Sequence, residues 1–282
     1  MLARQLRELR EQSGVSAEFA RKAIGVGKQT LWRMETGQPV RLNPLFIARL
    51  CEVYGAREEL ARKLLALTKE TFRTGWWHAY SDAMPKHFDL FVGLEEAAQR
   101  AISFQTVLVP GILQTAAYRR ALIWVDSPTL PAADVERRIE LLARRKSRLS
   151  CTESPLVLEA VLDEAALHRA IGGRGVITEQ LKHLSEVGAL PNVSVRVIPL
   201  AAQAYSGLTI GPFDMLEFPE HPTTELMEPP LVYLQGKTEA QYLEKADEIQ
   251  GYQDAYADLQ RSALDESDSR ALIQRIVQEH ER

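Results

Sequence analysis

The chain is predicted to be mainly α, with an α+β C-terminal domain. Residues 1–72 read as a five-helix bundle. Residues 76–282 read as a helical region followed by a small sheet flanked by helices. Three observations carry this. The first stretch shows helical periodicity punctuated by caps. Strand-length apolar runs begin only after about residue 155, where the period of the pattern shortens. Charge divides in the same place: residues 1–75 hold 14 Lys+Arg and 8 Asp+Glu, a net +6, and the remainder holds 20 and 30, a net −10.

A length of 282 residues suits about two domains, and 45 % hydrophobic with 26 % charged residues is ordinary for a globular protein. No run approaches the ~18 apolar residues needed to span a bilayer, so no membrane partner is expected. The start, Met1-Leu2-Ala3-Arg4-Gln5-Leu6, does not read as a signal peptide. Two distant cysteines, Cys51 and Cys151, do not make a disulfide framework. Cys51 falls at a core-like helical position, and a reducing cytoplasm is the expected location.

The head is built in order. Leu2, Leu6 and Leu9 recur at helical spacing before Gly14. Ser16 is suited to cap a second helix burying Phe19, Ala20, Ala23 and Ile24, which Gly25 ends. A third helix follows from Lys28, with Leu31 and Met34 inward. The opposite arc carries Lys28, Gln29, Trp32 and Arg33, with Thr30 beside them. Thr36-Gly37 closes it, and Gln38-Pro39-Val40-Arg41-Leu42 is an extended connector. Asn43-Pro44 pairs an N-cap with a first-turn proline, opening a fourth helix with Ile47, Leu50, Cys51 and Tyr54 buried. Leu60, Leu64 and Leu67 mark a fifth.

Two short helices joined at Gly25-Val26-Gly27 make a helix-turn-helix, whose second helix enters the DNA major groove. The outer arc has the chemistry for that task. Gln pairs bidentately with adenine, Arg or Lys with guanine, and Trp32 can touch a thymine methyl or sugar. The alternative for Trp32 is a place in the hydrophobic core. Arg21, Lys22 and Arg41 are candidate phosphate contacts.

Five helices with the second and third as reader, and the ending Glu35-Thr36-Gly37, resemble the lambda-repressor-like, Xre-type DNA-binding domain. One departure stands out: relatives often place Gln after the capping Ser to hold a phosphate, and here that position is Ala17. The backbone clamp then falls to Arg21, Lys22, Arg41 or helix-end amides.

Beyond the head, Trp76-Trp77 suggests a docking point between domains or simple core packing. Residues 93–124 read as helices interrupted at Val109-Pro110-Gly111, and Pro131 to Leu149 as another. That helix carries Arg137, Arg138, Arg144, Arg145, Lys146 and Arg148, expected to form a solvated face. Strands are expected at 156–162, 193–198, 213–218 and 231–234, and helices at 176–187, 239–264 and 268–280.

The runs Gly75-Trp76-Trp77-His78, Leu108-Val109-Pro110-Gly111-Ile112-Leu113-Gln114-Thr115 and Ala263-Leu264-Asp265-Glu266-Ser267-Asp268-Ser269 look like an actinomycete regulator family. Its members join an Xre-type head to a C-terminal domain of undefined function, often described as antitoxin-like. The resemblance implies a transcriptional regulator, often paired with a small partner protein.

No catalytic, cofactor or metal site is expected. The six histidines lack metal-ligand spacing, Gly172 to Gly175 lacks the Lys-Ser/Thr of a phosphate loop, and Asp163-Glu164 reads as a helix cap. The expectation is a non-enzymatic regulator binding double-stranded DNA as a homodimer. A possible small-molecule effector would be walled by Tyr205, Phe213, Tyr233 and Tyr242; the other class is an antitoxin-like half of a protein pair.

Overall fold

A computed structural model describes residues 2–37, 40, 42–70, 75–85, 88–220, 228–237 and 239–282. The chain divides into two compact units, one taking the residues up to Trp76 together with Glu220 and Glu228, the other comprising Trp77–Pro219 and Pro229–Arg282.

The N-terminal unit is a bundle of five helices: α1 (Leu2–Ser13), α2 (Ala17–Ala23), α3 (Lys28–Thr36), α4 (Pro44–Val53) and α5 (Glu58–Glu70). Ser16 Oγ accepts the Phe19 amide at 3.2 Å, and Asn43 Oδ1 accepts that of Leu45 at 2.9 Å. Both satisfy donors that a helix start leaves unpaired. Leu2, Leu6, Ala20, Ile24, Leu31, Met34, Ile47, Leu50, Cys51, Tyr54, Leu60 and Leu64 form one core. Burial pushes the Cys51 thiol up to about 11, so it stays a neutral packing group. Phe19 departs from expectation, being 61 % exposed. In so short a helix the core takes Ala20 and Ile24, spaced i, i+4, and Phe19 lies about 100° from that seam.

The second unit holds a six-stranded mixed sheet in the order β3-β2-β1-β4-β5-β6. The strands are β1 (Arg100–Gln105), β2 (Val157–Asp163), β3 (Val193–Ile198), β4 (Phe213–Glu217), β5 (Leu231–Gln235) and β6 (Ala240–Leu243). The first three are mutually parallel; β4 runs antiparallel to β1, and β5 and β6 continue antiparallel. Parallel neighbours need long crossovers. Helices α7 (Ala116–Asp126) and α8 (Ala132–Ser147) supply one, and α9 (Ala165–His168) and α10 (Arg174–Val187) supply the next. Helix α6 (Phe88–Ala97) leads into β1, α11 (Gly207–Ile210) precedes β4, and α12 (Ala246–Ser262) and α13 (Glu266–Glu281) end the chain.

Two expectations are corrected here. Residues 100–105 are not helical but form β1, where the parallel and antiparallel halves meet. Ala101, Ile102, Ser103 and Phe104 are all buried, so the strand shows no polar face to betray its period. Residues 240–243 are the edge strand β6 rather than the start of the last-but-one helix, which begins at Ala246. Its Ala, Gln and Leu favour helix, but pairing with β5 prevails.

Each sheet face carries its own core. One holds Ala101, Leu158, Ala160, Leu162, Leu216 and Tyr233 under α10 and α13 residues such as Leu181 and Ile273. The other holds Ile102, Phe104, Val161, Phe213, Met215 and Val232 with Tyr256 and Leu259 of α12. The aromatic residues expected to wall one pocket divide between the cores, Tyr205 and Phe213 with the second and Tyr233 and Tyr242 with the first; Phe213 and Tyr233 nevertheless line one cavity, while Tyr205 and Tyr242 do not. Trp77 lays its ring against Gly93 of α6, where an added Cβ would meet it at 2.9 Å.

The basic run over residues 137–148 is mostly not a solvated face: Arg144 is exposed, and the other five cations are engaged within the unit. Arg145 is buried and donates to both oxygens of Glu95, at 2.6 and 2.8 Å. Arg137 grips Asp82 and the Ala79 carbonyl, and Arg138 the Ala83 carbonyl, at 2.6 Å each. Arg148 donates to the Glu96 and Ala98 carbonyls. Lys146 donates to the Gln114 carbonyl at 3.1 Å and lies 2.8 Å from His183 Nε2. Burial lowers both the Lys146 and His183 pKa values, and the nearby Lys146 charge lowers His183 further. These cations bind the segments before and after α6 to α8. A sequence reading misses this because their partners lie about 30 to 60 residues away.

Candidate nucleic-acid interface

The turn between α2 and α3 depends on backbone conformations that only glycine adopts without strain. Gly25 has φ +68°, and Gly37, which ends α3, has φ +72° with its amide bonded to the Arg33 carbonyl. Between these stops α3 has little more than two turns. Leu31 and Met34 are buried, which leaves Lys28, Gln29, Trp32 and Arg33 outward. Trp32 is 53 % exposed, so the core alternative for it is set aside. Thr30 is half-buried on the flank.

Glu35 is what holds this helix, and sequence reasoning treated it only as part of a helix ending. It is buried and accepts from Arg10 Nε at 2.8 and 3.0 Å and from the Tyr54 hydroxyl at 3.0 Å. One carboxylate thus joins α1, α3 and α4. The charge-assisted bond to Glu35 raises the Arg10 pKa, and burial followed by the Glu35 charge raises that of Tyr54. The signal was present: Glu35 follows Leu31 by four residues, so it shares the inward face.

The predicted phosphate contacts are placed differently. Arg21 donates to both Glu18 oxygens at 2.7 and 2.6 Å, and Lys22 Nζ lies 3.2 Å from the same carboxylate. Those two cations hold the Glu18 carboxyl below its usual range. Lys28 and Arg33, by contrast, have no ion pair among the described residues. Arg41 lies outside the described residues. The outward stripe of α3 therefore combines two unneutralised cations, an amide and an indole on a helix braced from behind. Such a surface can meet phosphates and base edges without first breaking internal contacts.

Among the described residues no cluster of His, Cys, Asp or Glu could hold a metal ion, and no helix is long and apolar enough to cross a membrane. Asp163 Oδ1 accepts the Ala165 amide at the start of α9 at 2.8 Å, one residue before the N-cap Glu164, and its carboxylate also takes the Tyr205 hydroxyl.

Fold and stripe together define a helix-turn-helix regulator, and residues 1–64 match a helix-turn-helix domain family. Residues 88–275 match DUF5753, a domain of unknown function, and the chain belongs to that family. Neither curated proteins nor solved structures gave a match.

Proposed function

We propose that the chain is a sequence-specific transcriptional regulator of the Xre type. It acts in the cytoplasm as a homodimer whose two α3 helices read successive major grooves, and it catalyses no reaction. The observation carrying this is the exposed, unneutralised stripe Lys28, Gln29, Trp32 and Arg33 on a helix fixed by Glu35. Two half-sites about one helical turn apart let two modest affinities add. The C-terminal domain serves dimerisation and the sensing of an effector or partner.

Selecting bound fragments from genomic DNA with the purified chain tests the reading. A shared, roughly palindromic sequence is expected, with log K falling by about 0.9 per neutralised phosphate per decade of salt. Arg41→Ala should weaken all sites alike. Recovery of fragments without a common sequence would remove sequence specificity from the proposal.

A second reading rests on the net −10 of residues 76–282. Here the chain is an antitoxin-like component whose acidic domain grips a small basic partner while the head autoregulates their promoter. Co-purification of one small stoichiometric protein from native cells favours it; a lone homodimer counts against it.

A further inference from the structure

The second unit contains a cavity of about 710 Å³, well within the size range of small-molecule sites. Its floor is the sheet face bearing Ser103, Asp214 and Tyr233, which stand directly opposite one another across β1, β4 and β5. Such a row is unusual inside a core. The Ser103 hydroxyl bonds Asp214, and burial raises the Asp214 carboxyl to about 6. The buried Glu95–Arg145 pair borders the same space. Arg145 is already committed to Glu95 through two short bonds.

Two groups on this lining lack partners. Gln114 is 3 % exposed, and its Nε2 donates to the Val109 carbonyl at 2.7 Å. Its Oε1 has no hydrogen-bond partner. Turning the amide over would only set oxygen against oxygen at Val109, so an acceptor is left open either way. A buried acceptor without a donor keeps the cost of its lost hydration, which a bound donor would offset. Arg119 of α7 also lines the cavity, with no ion pair or side-chain hydrogen bond among the described residues. Burial, then the neighbouring Arg145 and Arg138 charges, pushes its pKa down to about 10. An anionic group there would relieve both effects.

We propose that this cavity binds a small organic acid: an anionic oxygen group, carboxylate or phosphate, on Arg119, an N–H or O–H donor toward Gln114, and an apolar body filling the rest. Arginine suits this because its planar fork meets such groups bidentately. The value of such a ligand as an effector rests on the DNA-binding function proposed above. The binding itself does not.

Indole-3-acetate, tryptophan and phenyl phosphate are suitable probes, with 3-methylindole as the neutral control. Saturation-transfer NMR and calorimetry on the full chain without DNA should show at least one acidic probe binding at about 1 mM or tighter, and 3-methylindole much more weakly. Whether the carboxylates or phenyl phosphate bind tells the two anions apart. Arg119→Gln should weaken the acidic probe by about tenfold or more, and Arg119→Lys by less, because charge survives and the fork does not. Thermal melts confirm that each variant folds, and melts of the wild-type chain with and without probe give a reading independent of any variant. Failure of all three acidic probes to bind, equal binding of 3-methylindole, or undiminished binding to a folded Arg119→Gln chain would overturn the proposal. A chain that bound no DNA would sink the regulator reading and leave this result standing.

Discussion

Helices α3 and α8 are both rich in cations, and they use them in opposite ways. On α3, Lys28 and Arg33 face outward without internal anions, while a carboxylate from the same helix turns inward to Arg10. On α8 and at its C-cap, Arg137, Arg138, Arg145, Lys146 and Arg148 all reach carbonyls or carboxylates of the same unit. Composition therefore does not distinguish a nucleic-acid surface from internal scaffolding. What distinguishes them is whether the charges are already satisfied, because a satisfied guanidinium must give up a bond before it can hold a phosphate.

The sharpest way to break the comparison is Arg145→Met. It strands Glu95 in the interior and should cost the second unit about 3–5 kcal/mol, seen as an early transition in denaturant unfolding. An unchanged midpoint would mean that α8 is not the scaffold described. Glu35→Ala comes next, leaving Arg10 and Tyr54 without their shared acceptor. About 2–4 kcal/mol should be lost from the N-terminal unit, and DNA affinity should fall with it because α3 loses its brace.

Asp214→Asn tests the interior around Arg145 from the acid side. The folded carboxyl sits near 6, above its ordinary 3.8, so ionisation opposes folding. That penalty is absent below about pH 4, grows as pH rises to about 6, and is constant beyond. The variant should gain on the order of 2–3 kcal/mol over wild type at pH 7 and nothing at pH 4. Equal gains at both would point away from a buried ionisation. The smallest stability effect belongs to Arg33→Ala, whose unfolding curve should overlay that of wild type. Its expected defect is loss of base discrimination by about 1–3 kcal/mol at one operator position, read by competition with substituted sites.

Much of the head could be read directly. Ser16, Gly25, Gly37 and Asn43-Pro44 punctuate it, and the buried set Leu31, Met34, Ile47, Leu50, Cys51 and Tyr54 follows from helical spacing. Phe19 misled because apolar character was taken as burial in a helix with room for only one narrow seam. In the second unit β2, β3, β4 and β5 were visible as apolar or alternating runs. The strand β1 was not, because Arg100-Ala101-Ile102-Ser103-Phe104 is buried on both faces beside an Ala-rich helix end.

By itself the sequence determined where short helices begin and end, since caps, turns and periodicity act within a few residues. It also determined the outward arc of α3, which follows from the helical period alone. Only the tertiary structure decided which cations were free, that Glu35 joins three helices, and that Gln114, Arg119 and Asp214 meet around one cavity. Those outcomes depend on desolvation and pairing between residues about 20 to 100 positions apart, and the chain brings such groups together only once its helices and strands have packed.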